Sequence, residues 1–261
     1  VLIYYYKNKN WSDIMDITKL SQDYMLRAFD VDTKGQWQPS AILTRMQEIA
    51  EDHASVVHFG RKELVVERDM AWMLTRVHLE MKRYPKLNDN IKVITWPGKP
   101  SNVFFGRYTI LLDEDGEELG RATSLWVLFN IKDRFLCRTG DIGDNYPYDL
   151  SHGTTLPDPT KIKLPKKMEL LQTRTVGYSE VDMNGHLNNA KYANWICELF
   201  DDEILKRDSI KELKINYIAE AYMGQHVDLY MQDTDGIYYI CGKTGEKRVF
   251  DASVTWNNQW R

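Results

Sequence analysis

The sequence predicts an α+β protein in which one architectural unit occurs twice, each copy a helix wrapped by a curved antiparallel sheet. Three observations carry this. One stretch near residue 45 spaces its apolar residues as a helix does, and strand-like runs follow it. The same order restarts beyond residue 170. Between them, residues 136–170 are so rich in Gly, Pro, Asp and Thr that they read as an extended linker. The expected division is 1–135 for the first unit, 136–170 for the linker and 171–261 for the second unit.

The first helix is read from "SAILTRMQEIAEDHASVV", where Ile42, Leu43, Met46, Ile49, Ala50, Ala54 and Val57 recur at threes and fours. The polar loop 33–40 before it, with Gly35 and Pro39, gives it a start. Strand candidates follow in "LVVERDMAWMLTRVHLEM", "NIKVITWP", "VFFGRYTILLD" and "RATSLWVLFNI", with "DEDGEE" as a hairpin turn between the last two. In the second unit "AKYANWICELFDDEIL" reads as a helix. "IKELKINYIAEA", "HVDLYMQDT", "GIYYICGKT" and "KRVFDASVTWNN" read as strands, with Asp235-Gly236 and Thr244-Gly245 where hairpin turns belong.

The 261 residues are 43% hydrophobic and 12% aromatic, enough for a sizeable core. No run approaches the roughly 18 apolar residues that span a bilayer. The opening "VLIYYYKNKNW" lacks the charged-then-apolar order of a secretory signal. Cys137, Cys197 and Cys241 are far apart, odd in number and in no C-x-x-C pair. That argues against a disulfide framework or zinc site and for a reducing compartment. A net charge of -4 gives no reason to expect nucleic acid or an anionic membrane. The expectation is a soluble cytoplasmic protein, monomer or homodimer, without metal or cofactor.

Shifting the chain by 150 lays "DTKGQWQPS" on "DMNGHLNNA": Asp32 falls on Asp182, Gly35 on Gly185 and Glu48 on Glu198. The shared Asp-x-x-Gly before a helix suggests a duplicated unit. Lys34 stands where Asn184 is and Gln36 where His186 is, so one active centre is expected, in the second unit.

The stretch "VDMNGHLNNAKY" holds Asp182, Asn184, His186, Asn188 and Asn189 within eight positions. Each has an ordinary role available. Asp182 can anchor a helix N-terminus, Asn184-Gly185 can make a turn, and Asn188 and Asn189 can hold the loop through backbone bonds. A lone histidine is more often structural, and His53, His58, His78, His152 and His226 are assigned that role. Cys197 and Cys241, at helical and strand spacing, read as packing residues.

"D-x-N-G-H-L-N-N-A-x-Y" followed by an apolar helix resembles the hotdog-fold thioesterases. With "MQEIAEDHA", "WMLTRVHLEMKRYP" and "RATSLWVLFNIKDR" in the first unit, the layout from about residue 20 to 255 resembles the acyl-acyl carrier protein (acyl-ACP) thioesterases of plants and bacteria. The resemblance implies a tandem, or double, hotdog with an acyl pocket in the first unit and catalysis in the second. It implies hydrolysis of the acyl-ACP thioester to free fatty acid and carrier, ending fatty acid synthesis. The implied partner is the acyl carrier protein with its phosphopantetheine-linked chain. The family pattern places the reacting groups in an Asp-x-Asn-x-His segment and a Glu-Cys pair on the next strand. Carried over, these are Asp182, Asn184, His186 and Glu220. The cysteine position is Ala221, so a Cys-His-Asn scheme cannot run from that strand.

Thioester hydrolysis needs an activated water, donors for the oxyanion and a proton for the leaving thiol. His186 or Glu220 can be the base, the Asn184 amide an oxyanion donor, and Asp182 an orienting group or a direct nucleophile. Of the large apolar residues Met46, Trp72, Met73, Trp96, Phe104, Phe105 and Trp126, the resemblance implies that some line the acyl tunnel, with Met46, Trp72 and Met73 foremost. Asn189 and Tyr192 are also expected to meet substrate. Carrier proteins are acidic, so a basic face is needed. Its candidates are Arg107, Arg134, Arg138, Lys166 and Lys167, with Arg61, Lys62 and Arg174 behind them. Other classes weigh less. A hotdog hydratase places Pro after the Asn and one more residue before the His, and "NGH" has neither. A non-catalytic acyl-thioester sensor would carry a DNA-binding segment, and no helix-turn-helix or basic arm is visible. An acyl-CoA thioesterase is the nearest rival.

Overall fold

The computed structural model describes residues 18–142 and 146–257. The segment 1–11, read above for a targeting signal, lies outside the described residues. Helix α1 (Pro39–Val56) begins at Pro39, which suits a first turn whose N–H groups lack partners anyway. It buries Ile42, Leu43, Met46, Ile49, Ala50 and Ala54, the face read from the apolar spacing. Around it lie β1 (Leu20–Met25), β2 (Met70–Met81), β3 (Asn90–Pro97), β4 (Phe104–Asp113), β5 (Glu118–Asn130) and the short β6 (Phe135–Cys137). The second half has β7 (Glu169–Thr175), α2 (Lys191–Cys197), α3 (Asp202–Arg207), β8 (Ser209–Tyr217), β9 (His226–Thr234), β10 (Ile237–Thr244) and β11 (Lys247–Asn257).

All strand pairs are antiparallel and form one sheet in the order β1-β3-β4-β5-β2-β8-β11-β10-β9-β7, with β6 pairing β5. The order in the second half mirrors that in the first about the β2–β8 seam, where Arg76 faces Asn216 and Glu80 faces Glu212. This is the double hotdog, with helices on one face and a core shared by both halves: Met46 and Ile49 of α1 pack in one cluster with Tyr192, Trp195 and Ile196 of α2. Fully burying one such aliphatic or aromatic side chain contributes about 1.5–3 kcal/mol, so the shared cluster holds the halves together as well as each sheet.

Three element assignments change. "LVVER" is not strand: Lys62–Val66 forms a π-helical turn that buries Leu64 and leaves Val66 exposed, while β2 starts at Met70. A short apolar run fits either state until packing decides. The second helix breaks in two between Cys197 and Asp202, with Asp201 extended as the residue before α3. Each half also has a strand ahead of its helix, β1 and β7, at the two edges of the sheet. Both are polar, and β7 is exposed along nearly its whole length, so neither carries an apolar alternation to read. Polar edges of this kind resist pairing with a further chain.

Candidate active site

The Asp-x-x-Gly loops of the two halves are built by one device. Asp182 Oδ1 accepts from the backbone N–H of Asn184 (2.8 Å) and of His186 (3.2 Å). Asp32 Oδ1 does the same for Lys34 (2.8 Å) and Gln36 (3.0 Å). Gly185 and Gly35 sit at φ +79° and +71°, a left-handed conformation natural to glycine, and no side chain crowds either position. Each loop is then tied to the segment after the half's first long strand. Leu187 N donates to Ala221 O (2.7 Å), as Trp37 N donates to Pro85 O (2.9 Å). Because β2 and β8 are antiparallel, these segments, and the loops with them, lie at opposite ends of the sheet.

What fills the common frame differs. In the second half His186 bridges to Tyr222, and its Nδ1 lies 3.4 Å from Glu220 Oε1. The Tyr222 hydroxyl donates to Glu220 Oε2 at 2.7 Å, and its ring meets the imidazole edge-on at 4.9 Å. The carboxylate beside it holds the Tyr222 hydroxyl proton more tightly than usual. His186 and Glu220 are both partly open to solvent, so a water can reach them. Asn184 is exposed and points one amide hydrogen at Asp182 Oδ2 (3.3 Å). Tyr192 is buried against Phe250 and Tyr217, whose hydroxyl donates to Asn189 O (3.0 Å). Burial first and Glu220 second push the Tyr192 phenol upward. So Asp182, Asn184, His186 and Glu220 do come together, with Asn189 and Tyr192 behind them.

In the first half the same places hold Lys34, Gln36 and Tyr84, and each is engaged structurally. Lys34 Nζ donates to Asp208 O (2.5 Å), Ser209 Oγ donates to Gln36 Oε1 (2.7 Å), and Tyr84 donates to Ile210 O (2.8 Å). At these matched positions a carboxylate–imidazole pair is present in the second copy and absent from the first.

Beneath the second-half loop Glu180 accepts from Gly177 N (2.8 Å) and Trp195 Nε1 (2.7 Å), and Arg174 pairs with it at 3.3 Å. Arg174 also binds Glu198 and lies over the Trp195 ring, so it braces the loop rather than offering a carrier contact. The first half has the partners exchanged: Asp30 accepts from Tyr24, and Arg45 lies over the Tyr24 ring and pairs with Glu48. The 150-residue overlay puts Tyr24 on Arg174 and Arg45 on Trp195, a signal that could have found this brace. Tyr222 was legible too: two residues after Glu220, it shares its direction.

A narrow cavity of about 50 Å³ lies between α1 and the first-half sheet, at the end of the sheet where β8 leads to Glu220. Ala50, Ala54, Val57, Phe59, Trp72, Phe105, Trp126 and Tyr146 form its walls, with Gln47, Glu51 and Arg107 as its polar groups. Of the expected tunnel residues, Trp72, Phe105 and Trp126 line it. Met46 is instead buried in the core shared with α2, and Met73 is exposed on the other side of β2. Arg107 is not a surface contact: its guanidinium donates to His53 Nδ1 (3.1 Å), lines the cavity and has its pKa lowered by burial. Arg107 lies two residues from Phe105 and shares its face. Arg61, Lys62, Arg134, Arg138, Lys166 and Lys167 are exposed. The thiols of Cys197 and Cys241 are raised by burial, that of Cys197 to about 12. Among the described residues, His78, Glu80 and Glu212 on the seam could hold a metal ion, but Lys214 donates into the same carboxylate at 2.7 Å, the pattern of an ion network. No described helix is long and apolar enough to cross a membrane.

This chain is 28% identical over 223 residues to a chloroplastic palmitoyl-acyl carrier protein thioesterase of Cuphea hookeriana, covering 80% of its own length and 54% of that protein. A chloroplastic oleoyl-acyl carrier protein thioesterase of Arabidopsis thaliana is 28% identical over 223 residues, covering 79% and 61%. The chain thus spans little more than half the length of these relatives. Among solved structures it matches an acyl-ACP thioesterase from Bacteroides thetaiotaomicron with TM-score 0.80 and 25% identity, covering 93% of this chain and 100% of that one. It also matches the 12:0-ACP thioesterase of Umbellularia californica with TM-score 0.78 and 25% identity, covering 94% and 98%. The models for the acyl-ACP thioesterase N-terminal and C-terminal domains match residues 18–146 and 164–258, and this chain therefore belongs to the acyl-ACP thioesterase family.

Proposed function

We propose that this chain hydrolyses the thioester of acyl-ACP, releasing free fatty acid and carrier and so ending fatty acid synthesis. The observation that carries it is the His186–Glu220 pair, 3.4 Å apart and present in one of two otherwise matched loops. Glu220 orients the imidazole, and His186 takes a proton from water as the water oxygen attacks the thioester carbon. The second amide hydrogen of Asn184 serves the developing oxyanion, a role worth roughly 3 kcal/mol. As the tetrahedral intermediate collapses, the carbon–sulfur bond breaks and the thiol leaves with the proton from His186. Asp182 already accepts from three donors, which blunts it as a nucleophile and favours direct attack by water over an acyl-aspartyl anhydride.

The acyl chain is assigned to the cavity beside Trp72, and exposed cations such as Arg134, Arg138, Lys166 and Lys167 to the acidic carrier. The absence of paired cysteines among Cys137, Cys197 and Cys241 suits a reducing compartment such as the cytoplasm. The test is hydrolysis of matched acyl-ACP and acyl-CoA series from octanoyl to stearoyl. Faster turnover of acyl-CoA at every length would move the assignment to an acyl-CoA thioesterase.

A further inference from the structure

The face of the second half turned away from the helices carries a cleft that the catalytic assignment does not use. The end of the linker, 162–168, forms one wall, and β9, β10 and the start of β11 form the other, around a volume of about 590 Å³. Lys163, Lys166, Lys243 and Arg248 line it against one carboxylate, Glu246. Arg248 is paired with Asp251 at 3.2 Å and Lys243 lies over the Tyr230 ring, while Lys163, Lys166 and Lys243 are in no ion pair among the described residues. Three lysines without an ion pair thus gather in one cleft of a chain whose net charge is -4.

The cleft is also tied to the catalytic segment. Arg248 precedes Val249, whose carbonyl accepts from Ile218 N (2.9 Å) and Ala219 N (3.0 Å), and Glu220 is the next residue. Thr244, at the turn of the same hairpin, donates to His226 O at 3.0 Å. A macromolecule held in the cleft therefore sits at the same end of the strands as Glu220.

We infer that this cleft docks the acidic face of the acyl carrier protein, an inference that rests on the proposed function. The cations are spread over the linker, β10 and β11, and three of the four are lysines on flexible stems. That suits a broad acidic surface better than one phosphate, which is recognised by converging forks and backbone N–H groups. Attraction of this kind acts on encounter and is weakened by salt.

The test is calorimetric titration of the wild-type chain, Lys163→Glu/Lys166→Glu and, on a separate element, Lys243→Glu with holo-acyl carrier protein. Lys92→Glu on β3 is the control. The cleft variants are expected to raise Kd at least about tenfold, with a shallower salt dependence. They should raise KM for acyl-ACP while kcat, and turnover of acyl-pantetheine, stay near those of the control. Unchanged carrier affinity in both cleft variants, or a wild-type chain that does not bind the carrier, overturns the docking site. Equal losses on acyl-pantetheine would do so too, by showing damage to the centre itself. Carrier binding through the cleft without any hydrolysis would sink the thioesterase assignment alone.

Discussion

His186 and Gln36 occupy the same place in two copies of one loop, and that difference decides which copy can move a proton. An imidazole beside Glu220 can accept and return a proton, whereas the Gln36 amide, held by Ser209, cannot. His186→Ala is expected to lower kcat by at least about 100-fold, the lower end of acid–base catalysis. Asp182→Ala should fall as far by another route, because two backbone N–H groups lose their acceptor and the loop loosens. Cys197→Ser and Cys241→Ser should keep most activity, since Cys241 is buried, Cys197 is half-buried and desolvation raises both thiols. Trapping an acyl group on either cysteine would overturn the water mechanism. At this scale the motif itself was legible, because Asp, Asn and His sit close in sequence and the loop is local. Arg107 was not placed correctly from its charge, since β4 is apolar on both faces around it and charge alone suggests the surface.

Within single elements, the proposed function gives the chemistry to one of the paired loops, while the other fastens the halves. Lys34 joins the first loop to the start of β8 through Asp208 O and Ser209 Oγ. Lys34→Ala and Gln36→Ala should therefore leave thioester cleavage within about tenfold of wild type, the loss being one of stability, on the order of 1 kcal/mol for each hydrogen bond removed. A loss of rate as deep as that of His186→Ala would show that the first loop shares in the chemistry. The seam strands carry a second test. Hydrogen bonding from His78, and then from Lys214, holds Glu212 well below the usual carboxylate range, at about 2, against the opposing effect of burial. A depressed carboxylate stabilises the fold above its ordinary pKa, and that stability is lost as pH falls from there through about 2. Glu212→Gln should thus destabilise the protein by about 1–2 kcal/mol at neutral pH, less than the full shift because the group is partly solvated. The gap between the two proteins in urea unfolding should narrow as pH drops below the ordinary carboxylate pKa and close toward about 2. A gap that persists there would assign the effect to packing. Helix α1 and strands β3, β9 and β10 were legible because amphipathic spacing and turn residues bound them locally. The edge strands β1 and β7 exist through their neighbours' hydrogen bonds, and no pattern in their own residues announces them.

Across the whole molecule, the His186–Glu220 pair lies in one half and the Trp72 cavity in the other, and the antiparallel seam brings them to the same end of the sheet. β8 runs out past Asn216, opposite Arg76, toward Glu220, while β2 begins at Met70 on that side, carrying Trp72 into the cavity wall. Trp72 is fixed there by its Nε1 donating to Phe59 O (2.9 Å) and by edge-on contact with Phe105 at 5.0 Å. Removing the indole enlarges the cavity without touching a reacting group. Each further methylene buried there contributes about 0.8 kcal/mol, so longer chains gain most. Trp72→Ala is expected to shift the preferred acyl length upward by about two carbons or more, while cleavage of the original substrate persists. Met46 gives the contrast. It packs in the core shared with α2 rather than in the cavity wall, so Met46→Ala should lower stability by about 2–5 kcal/mol and leave the length preference where it was. Both outcomes are read from free fatty acid profiles on mixed acyl-ACP together with urea unfolding. An unchanged profile in well-folded Trp72→Ala would remove the cavity from the path of the chain, and a shifted profile in Met46→Ala would extend that path between the two helices.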